Sequence, residues 1–228
     1  MTTPGVLESD SYGVAMKVAQ AALRERDPLA AAERCGAVWA PAAGSGSGSQ
    51  GDLRVRFLGS EFAVAFPEAT VWSETGGRSP ATVWDAILIL HYLGSTGPVP
   101  ARREPVAFAD LPDGKFYDPA FQGRCRVPLL RTFGPRPEAL AAVGPALDAV
   151  PWDRGDASLA IRAFPRLDVY LVLYRGDDEF PPGGSVLFSS DVRAFLSTED
   201  IAVLGGAVVS RLSRAWKLRE GGPPVPNA

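Results

Sequence analysis

Residues 159–204 read LAIRAFPRLDVYLVLYRGDDEFPPGGSVLFSSDVRAFLSTEDIAVL. Two apolar runs, Leu159 to Phe164 and Val169 to Tyr174, are separated by only a few residues around Pro165-Arg166, and a connection that short joins antiparallel strands. The second run is apolar at nearly every position, which predicts a central strand covered on both faces. After an acidic Pro/Gly loop, Val186-Leu187-Phe188 predicts a third, short strand. Thr198, with Glu199 and Asp200 in the first turn, then starts a helix whose Ile201, Leu204, Val208, Leu212 and Trp216 recur at helical spacing. Strands in hairpins and helices in runs predict an α+β fold, an antiparallel sheet of hairpins with helices packed mainly on one face.

Toward the N-terminus, Val14, Val18 and Ala21 or Ala22 mark a helix over 11–26, and Asp27-Pro28 caps a second one over 29–35 that Gly36 stops. AGSGSGSQG, within residues 42–51, buries nothing and reads as a flexible linker. It lacks the strand, the Gly-Lys-Ser/Thr ending and the glycine spacing of a phosphate loop. Leu53, Val55 and Phe57 alternate with polar residues, Gly59-Ser60 turns the chain, and residues 62–66 return, which predicts a hairpin. Ser79-Pro80 is expected to open an amphipathic helix carrying Val83, Trp84, Ile87, Leu88, His91 and Tyr92, ended by Gly94. A short strand over 105–108 and a turn over 111–114 follow, then short helices broken by Gly123, Pro128, Gly134 and Gly144. The domain expectation is a helical segment 1–41, a linker 42–51, one α+β domain 52–220 and a disordered tail 221–228.

Composition narrows function by exclusion. The 228 residues are 46% hydrophobic and 21% charged, with a net charge of −3, which argues against a nucleic-acid-binding surface overall. The longest apolar stretch, near residues 86–93, is far shorter than the roughly 20 residues that span a bilayer, and the start MTTPGVLESD has no basic, apolar leader pattern. A cytoplasmic protein is expected. Cys35 and Cys125, 90 positions apart, form no CxxC pair, and with a single histidine they cannot build a common structural zinc site or ligate an iron–sulfur cluster within one copy. Charge is uneven: residues 101–136 hold seven Lys/Arg against four Asp/Glu, and residues 137–200 hold five against eleven.

Three places could carry chemistry. The loop Arg175, Asp177, Asp178, Glu179, with Asp191, Glu199 and Asp200 downstream, offers oxygens suited to magnesium or calcium, and Asp177, Asp178 and Glu179 are the metal-ligand candidates. The same carboxylates read equally as solvated hairpin-end and helix-start groups. His91 is the candidate catalytic residue as a proton carrier, or an axial ligand, against the reading of a buried, hydrogen-bonded core histidine. Phe116, Tyr117, Phe121, Arg124, Arg126 and Arg131 form an aromatic and arginine set, in which Tyr117 and Arg124 are ligand-binding candidates for a phosphate or carboxylate, against a core role for the aromatics.

LILHYL at 88–93, FADLPDGKFYDPAF at 108–121, YRGDDEFPPGGSVLF at 174–188 and STEDIAVL at 197–204 together resemble an uncharacterised bacterial family, domain of unknown function 3786. The resemblance implies anaerobic bacteria and relatives with an added iron–sulfur domain of the type seen with corrinoid proteins and carbon monoxide dehydrogenase. It brings no established activity, cofactor or catalytic residue. The functional expectation is an accessory or ligand-binding domain linked to corrinoid or iron–sulfur metabolism. Its alternatives are a metal-dependent enzyme built on the acidic loop and His91, and a protein–protein interaction module. A protein partner or a small ligand is implied.

Overall fold

The computed structural model describes residues 4–43, 50–99 and 104–220. The middle of the expected linker, 44–49, and the expected tail lie outside the described residues. The chain divides into two compact units, one of residues 1–98 with 194–196, the other of 99–193 with 197–228.

The first unit opens with α1 (Pro4–Arg24) and α2 (Pro28–Cys35). Asp27 caps α2 by accepting from the Ala30 N–H at 2.7 Å, and Gly36 closes it in the left-handed region (φ 66°), as the sequence predicts. β1 (Val38–Pro41), β2 (Gly51–Phe57), β3 (Ser60–Phe66), β4 (Thr70–Ser73) and β5 (Ser79–Pro80) pair in that order as one antiparallel sheet. The Ala42 N–H donates to the Gln50 carbonyl at 2.8 Å, which continues the β1–β2 pairing one step beyond Pro41 and Gly51. The β2–β3 turn is Leu58-Gly59, both at positive φ, one residue earlier than predicted. Ser79-Pro80 pairs with β4 and does not open α3 (Val83–Gly94). Thr82 caps that helix instead, its hydroxyl accepting from the Asp85 N–H at 3.2 Å.

α3 is buried on nearly every side, from Ile87 to Leu93 except His91, which is half-buried. A helix apolar all round is a core element, and this one organises its unit. Tyr92 stands at its centre. Its hydroxyl donates to the Cys35 carbonyl at 2.6 Å, the Cys35 thiol donates back to the Tyr92 carbonyl at 3.2 Å, and its ring stacks on Phe195 at 5.1 Å. α1 is tied to the β3–β4 turn by Gln20 and Arg24 donating to the carbonyls of Ala69, Pro67 and Glu68. It buries Ala19 and Leu23, and leaves the predicted Val14/Val18 stripe exposed.

The second unit holds another antiparallel sheet, ordered β6 (Pro105–Ala107), β10 (Gly183–Ser189), β9 (Leu167–Tyr174), β8 (Ala157–Phe164), β7 (Val150–Pro151). The α+β class with antiparallel hairpins holds, with the strands shared between two sheets. Leu159, Ile161, Val169, Leu171, Val186 and Phe188 share one face, all nearly inaccessible. Helices cover that face. α4 (Gly114–Phe121), a π-helical segment (Gln122–Arg126) and α5 (Val127–Phe133) run on without interruption, followed by α6 (Ala139–Val143) and, after β10, α7 (Thr198–Arg219).

Gly123 and Pro128 were expected to break helices, yet both lie inside the continuous helix 114–133. A proline ring collides with the carbonyl four residues back in a regular α-helix, and Pro128 lacks the N–H that would pair there. The wider π turn immediately before it, in which the Val127 N–H reaches the Gln122 carbonyl, opens the helix at that point.

Candidate functional site

Helix 114–133 is held from three sides. Phe121, Cys125, Leu129 and Phe133, four residues apart, form its buried ridge. Phe121 stacks on Phe108 with centroids 4.2 Å apart and rings nearly parallel, and touches Phe188 of β10. On one flank the helix meets α7: a Cβ on Gly205 would stand 3.1 Å from the Cys125 sulfur, and Thr132 and Ser213 share a hydrogen bond of 3.1 Å. On the other flank Arg126 Nε donates to the Gly184 carbonyl of β10 at 2.9 Å. Burial pushes the Cys125 thiol up to about 12, against the opposing pull of the Arg124 charge. It is an inert core group.

The rest of the helix faces solvent. Phe116 is 82% exposed, Tyr117 half exposed and edge-on to it at 5.2 Å, and Val127 54% exposed. Lys115 and Asp113 are exposed beside the aromatic pair and Asp118 is half-buried there, while Arg124, Arg126 and Arg131 are exposed further along the helix. Of the aromatic set expected from sequence, Phe121 is core, while Phe116 and Tyr117 are surface. Val127 was not singled out by the sequence reading. The available signal was its place off the four-residue spacing of the buried ridge, next to a proline that obscured the helix.

The acidic loop joins β9 to β10. Asp177 is turned onto its own backbone: Oδ1 accepts the N–H groups of Glu179 at 2.9 Å and Phe180 at 2.7 Å, while its own N–H donates to the Phe180 carbonyl at 2.9 Å. This is an Asx turn, a structural use of an aspartate. Arg175 donates through its backbone to Asp156 at 2.7 Å and through its side chain to Glu138 at 3.0 Å. The Glu138 backbone N–H and then Arg175 hold the Glu138 carboxyl below its ordinary value of 4.5. Asp178 and Glu179 are exposed, as is Phe180 at 65%. Among the described residues no three His, Cys, Asp or Glu side chains form a group that could hold a metal ion.

The other candidates fall elsewhere. His91 belongs to the first unit, the acidic loop and helix 114–133 to the second. Asp191 is fully buried beyond the end of β10, and Asp200 is part of the N-terminal capping box of α7 with Ser197. Two shallow hollows lie in the first unit. One, of about 370 Å³, lies where β1 ends and β2 begins, between Gln50, Asp52, Arg54 and Glu68. The other, of about 330 Å³, is bordered by Glu25, Asp27, Arg34 and Ser95. Arg34 is spent there on structure: Nε donates to Ser95 Oγ at 3.3 Å and the terminal nitrogens to the carbonyls of Thr96, Gly97 and Ala194, with the guanidinium 5.0 Å over Phe195. The exposed Arg26 borders the same hollow.

Comparison with known families finds one whose sequence model, described as Domain of unknown function (DUF3786), matches residues 27–211. No curated protein and no solved structure matches the chain. No helix among the described residues is long and apolar enough to cross a membrane.

Proposed function

Since the chain belongs to the family described as Domain of unknown function (DUF3786), whose description names no reaction, we propose from its geometry that it is a cytoplasmic accessory protein that works by binding a protein partner. Its recognition surface is the solvent face of helix 114–133. The observation that carries this reading is the exposed pair Phe116 and Tyr117 on a helix otherwise fixed by dense packing. Leaving large rings in water forgoes about 2 kcal/mol of burial each, and aromatics with arginines are what binding surfaces concentrate. A rigid support lowers the ordering cost when those rings are covered. The family resemblance directs the search for the partner toward corrinoid and iron–sulfur proteins of anaerobic one-carbon metabolism.

The test starts from capture of partners by the full chain under anaerobic conditions. An identified, purified partner is then titrated calorimetrically with wild type and with Phe116→Ser/Tyr117→Ser. The double variant is expected to bind roughly 30-fold or more weakly, the loss of about 2 kcal/mol typical of an aromatic hot spot. Unchanged affinity would reject this surface.

A further inference from the structure

What covers the aromatic pair, we infer, is a basic segment of the partner protein: an arginine or lysine seats in the corner between the rings of Phe116 and Tyr117, and further basic residues face the carboxylates around them. This rests on the reading of the pair as a binding surface and names the chemistry that the surface selects.

The two rings stand at right angles, with centroids 5.2 Å apart and an interplanar angle of 89°. Rings so disposed form a corner whose two π faces a single cation meets together, and the negative face of an aromatic ring attracts guanidinium and ammonium groups. Phe116 is 82% exposed and Tyr117 50%, so the corner is open to a partner.

The charges around the pair are mostly of one sign. Between residues 108 and 122 the chain carries Asp110, Asp113 and Asp118 against Lys115 alone. Thr198 donates to the Pro112 carbonyl at 3.0 Å, which brings the start of α7, with the exposed Glu199, beside the same turn. Asp113 sits at the N-cap position of α4, three residues before Phe116, yet its carboxylate makes no capping bond. Among the described residues none of these four carboxylates forms an ion pair. The arginines of the helix begin only at Arg124, and Arg126 is turned to the Gly184 carbonyl of β10. Uncompensated carboxylates beside open rings attract a cationic surface and repel phosphates, which sets nucleic acid and anionic membranes aside as occupants. Arginine fits best, since its planar guanidinium stacks on a ring while its fork of N–H groups meets a carboxylate.

The test uses random peptides displayed on phage and panned against the full chain, with those that also bind Phe116→Ser/Tyr117→Ser removed. The expected survivors are rich in arginine and lysine. A synthetic peptide of the most enriched sequence is then titrated by calorimetry at an ionic strength of about 0.05 M, where charge is little screened. It should bind Asp110→Asn/Asp113→Asn/Asp118→Asn about tenfold more weakly than wild type, and Lys115→Glu more tightly. Asparagine keeps the size of each side chain and tolerates the positive φ of residue 113, 61°, so the triple variant should keep the wild-type circular dichroism spectrum. Survivors that are acidic or uncharged, or a triple variant that binds as tightly as wild type, would overturn the basic partner and leave the aromatic surface standing. If no displayed peptide depends on the pair, the proposal falls, and calorimetry with the captured partner decides the surface itself. A wild-type dimer in sedimentation velocity that Phe116→Ser/Tyr117→Ser dissolves would make a second copy the occupant and would equally overturn the proposal.

Discussion

Gly114 has no alternative in this fold, because a Cβ there would lie 1.9 Å from the carbonyl oxygen of Phe108. That oxygen is backbone, and it is anchored by the Phe108–Phe121 stack, so it cannot swing aside as a side chain would. Gly114→Ala is expected to cost about 3 kcal/mol or more, read as a lower midpoint in urea unfolding. A variant as stable as wild type would show that the turn relaxes freely. The composition Leu111-Pro112-Asp113-Gly114 marks a turn in the sequence, but the carbonyl that forbids a side chain is brought in by tertiary packing. Cys125 shows the same limit: nothing in QGRCRV distinguishes a buried thiol from an exposed one. Its folded value of about 12 stands above the ordinary 9.0. The stability it contributes is therefore fully present below pH 9 and is lost as pH rises toward 12, because the unfolded chain ionises first. Denaturation measured from pH 8 to 11 should fall more steeply for wild type than for Cys125→Ala, and parallel slopes would contradict the burial.

At the scale of elements, α7 was legible nearly whole. Its buried Ile201, Leu204, Val208 and Leu212 are those that the period selects, and STED announces its start. Ser197 Oγ accepts from the Asp200 N–H at 3.1 Å while Asp200 accepts the Ser197 N–H at 3.1 Å, closing a capping box, and Thr198 Oγ1 donates to the Pro112 carbonyl at 3.0 Å. Ser197→Ala should lower stability by about 1 kcal/mol, within the 0.5–2 kcal/mol span of N-cap losses, in equilibrium denaturation. No change would mean that the helix is held by its packing alone. α1 was legible as a helix but not as to its face. Val14 and Val18 share one apolar stripe, Ala19 and Leu23 another, and which is covered depends on what α3 offers. Helix 114–133 was read as fragments because Gly and Pro are ordinarily breakers, and a π turn that accommodates a proline has no sequence period. β1, β4, β5 and β7 have no alternation to read, being two to four residues long, and the equally short β6 stands out only as the run Pro105-Val106-Ala107. The candidate site was legible in part: the aromatic and arginine set was found, while the exposure of Phe116 and Tyr117 depends on the stack that takes Phe121 inward.

For the molecule as a whole, the informative fact is that Ala194–Leu196 belongs with the first compact unit although it is bracketed in sequence by β10 and α7 of the second. Phe195 is 4% exposed, stacks on Tyr92 and lies under the Arg34 guanidinium, and Ala194 accepts from Arg34 at 2.7 Å. The core of the first unit is thus completed by three residues that the chain supplies about a hundred positions after the rest. Tyr92 also carries the α2–α3 tie through Cys35, so loss of the ring stacked against it should loosen both helices. Phe195→Ala removes a buried ring, a change that costs about 3–5 kcal/mol in well-packed cores. Hydrogen exchange resolved by peptide mass should report where that loss falls. The expected pattern is faster exchange in α2 and α3, with β8, β9 and β10 changed much less, because Phe195 packs on the former and the latter keep their own core of Leu159, Ile161, Val169, Leu171 and Phe188. Equal acceleration in both units would mean that the two cores open as one, and that the residues 194–196 serve the whole chain and not one unit.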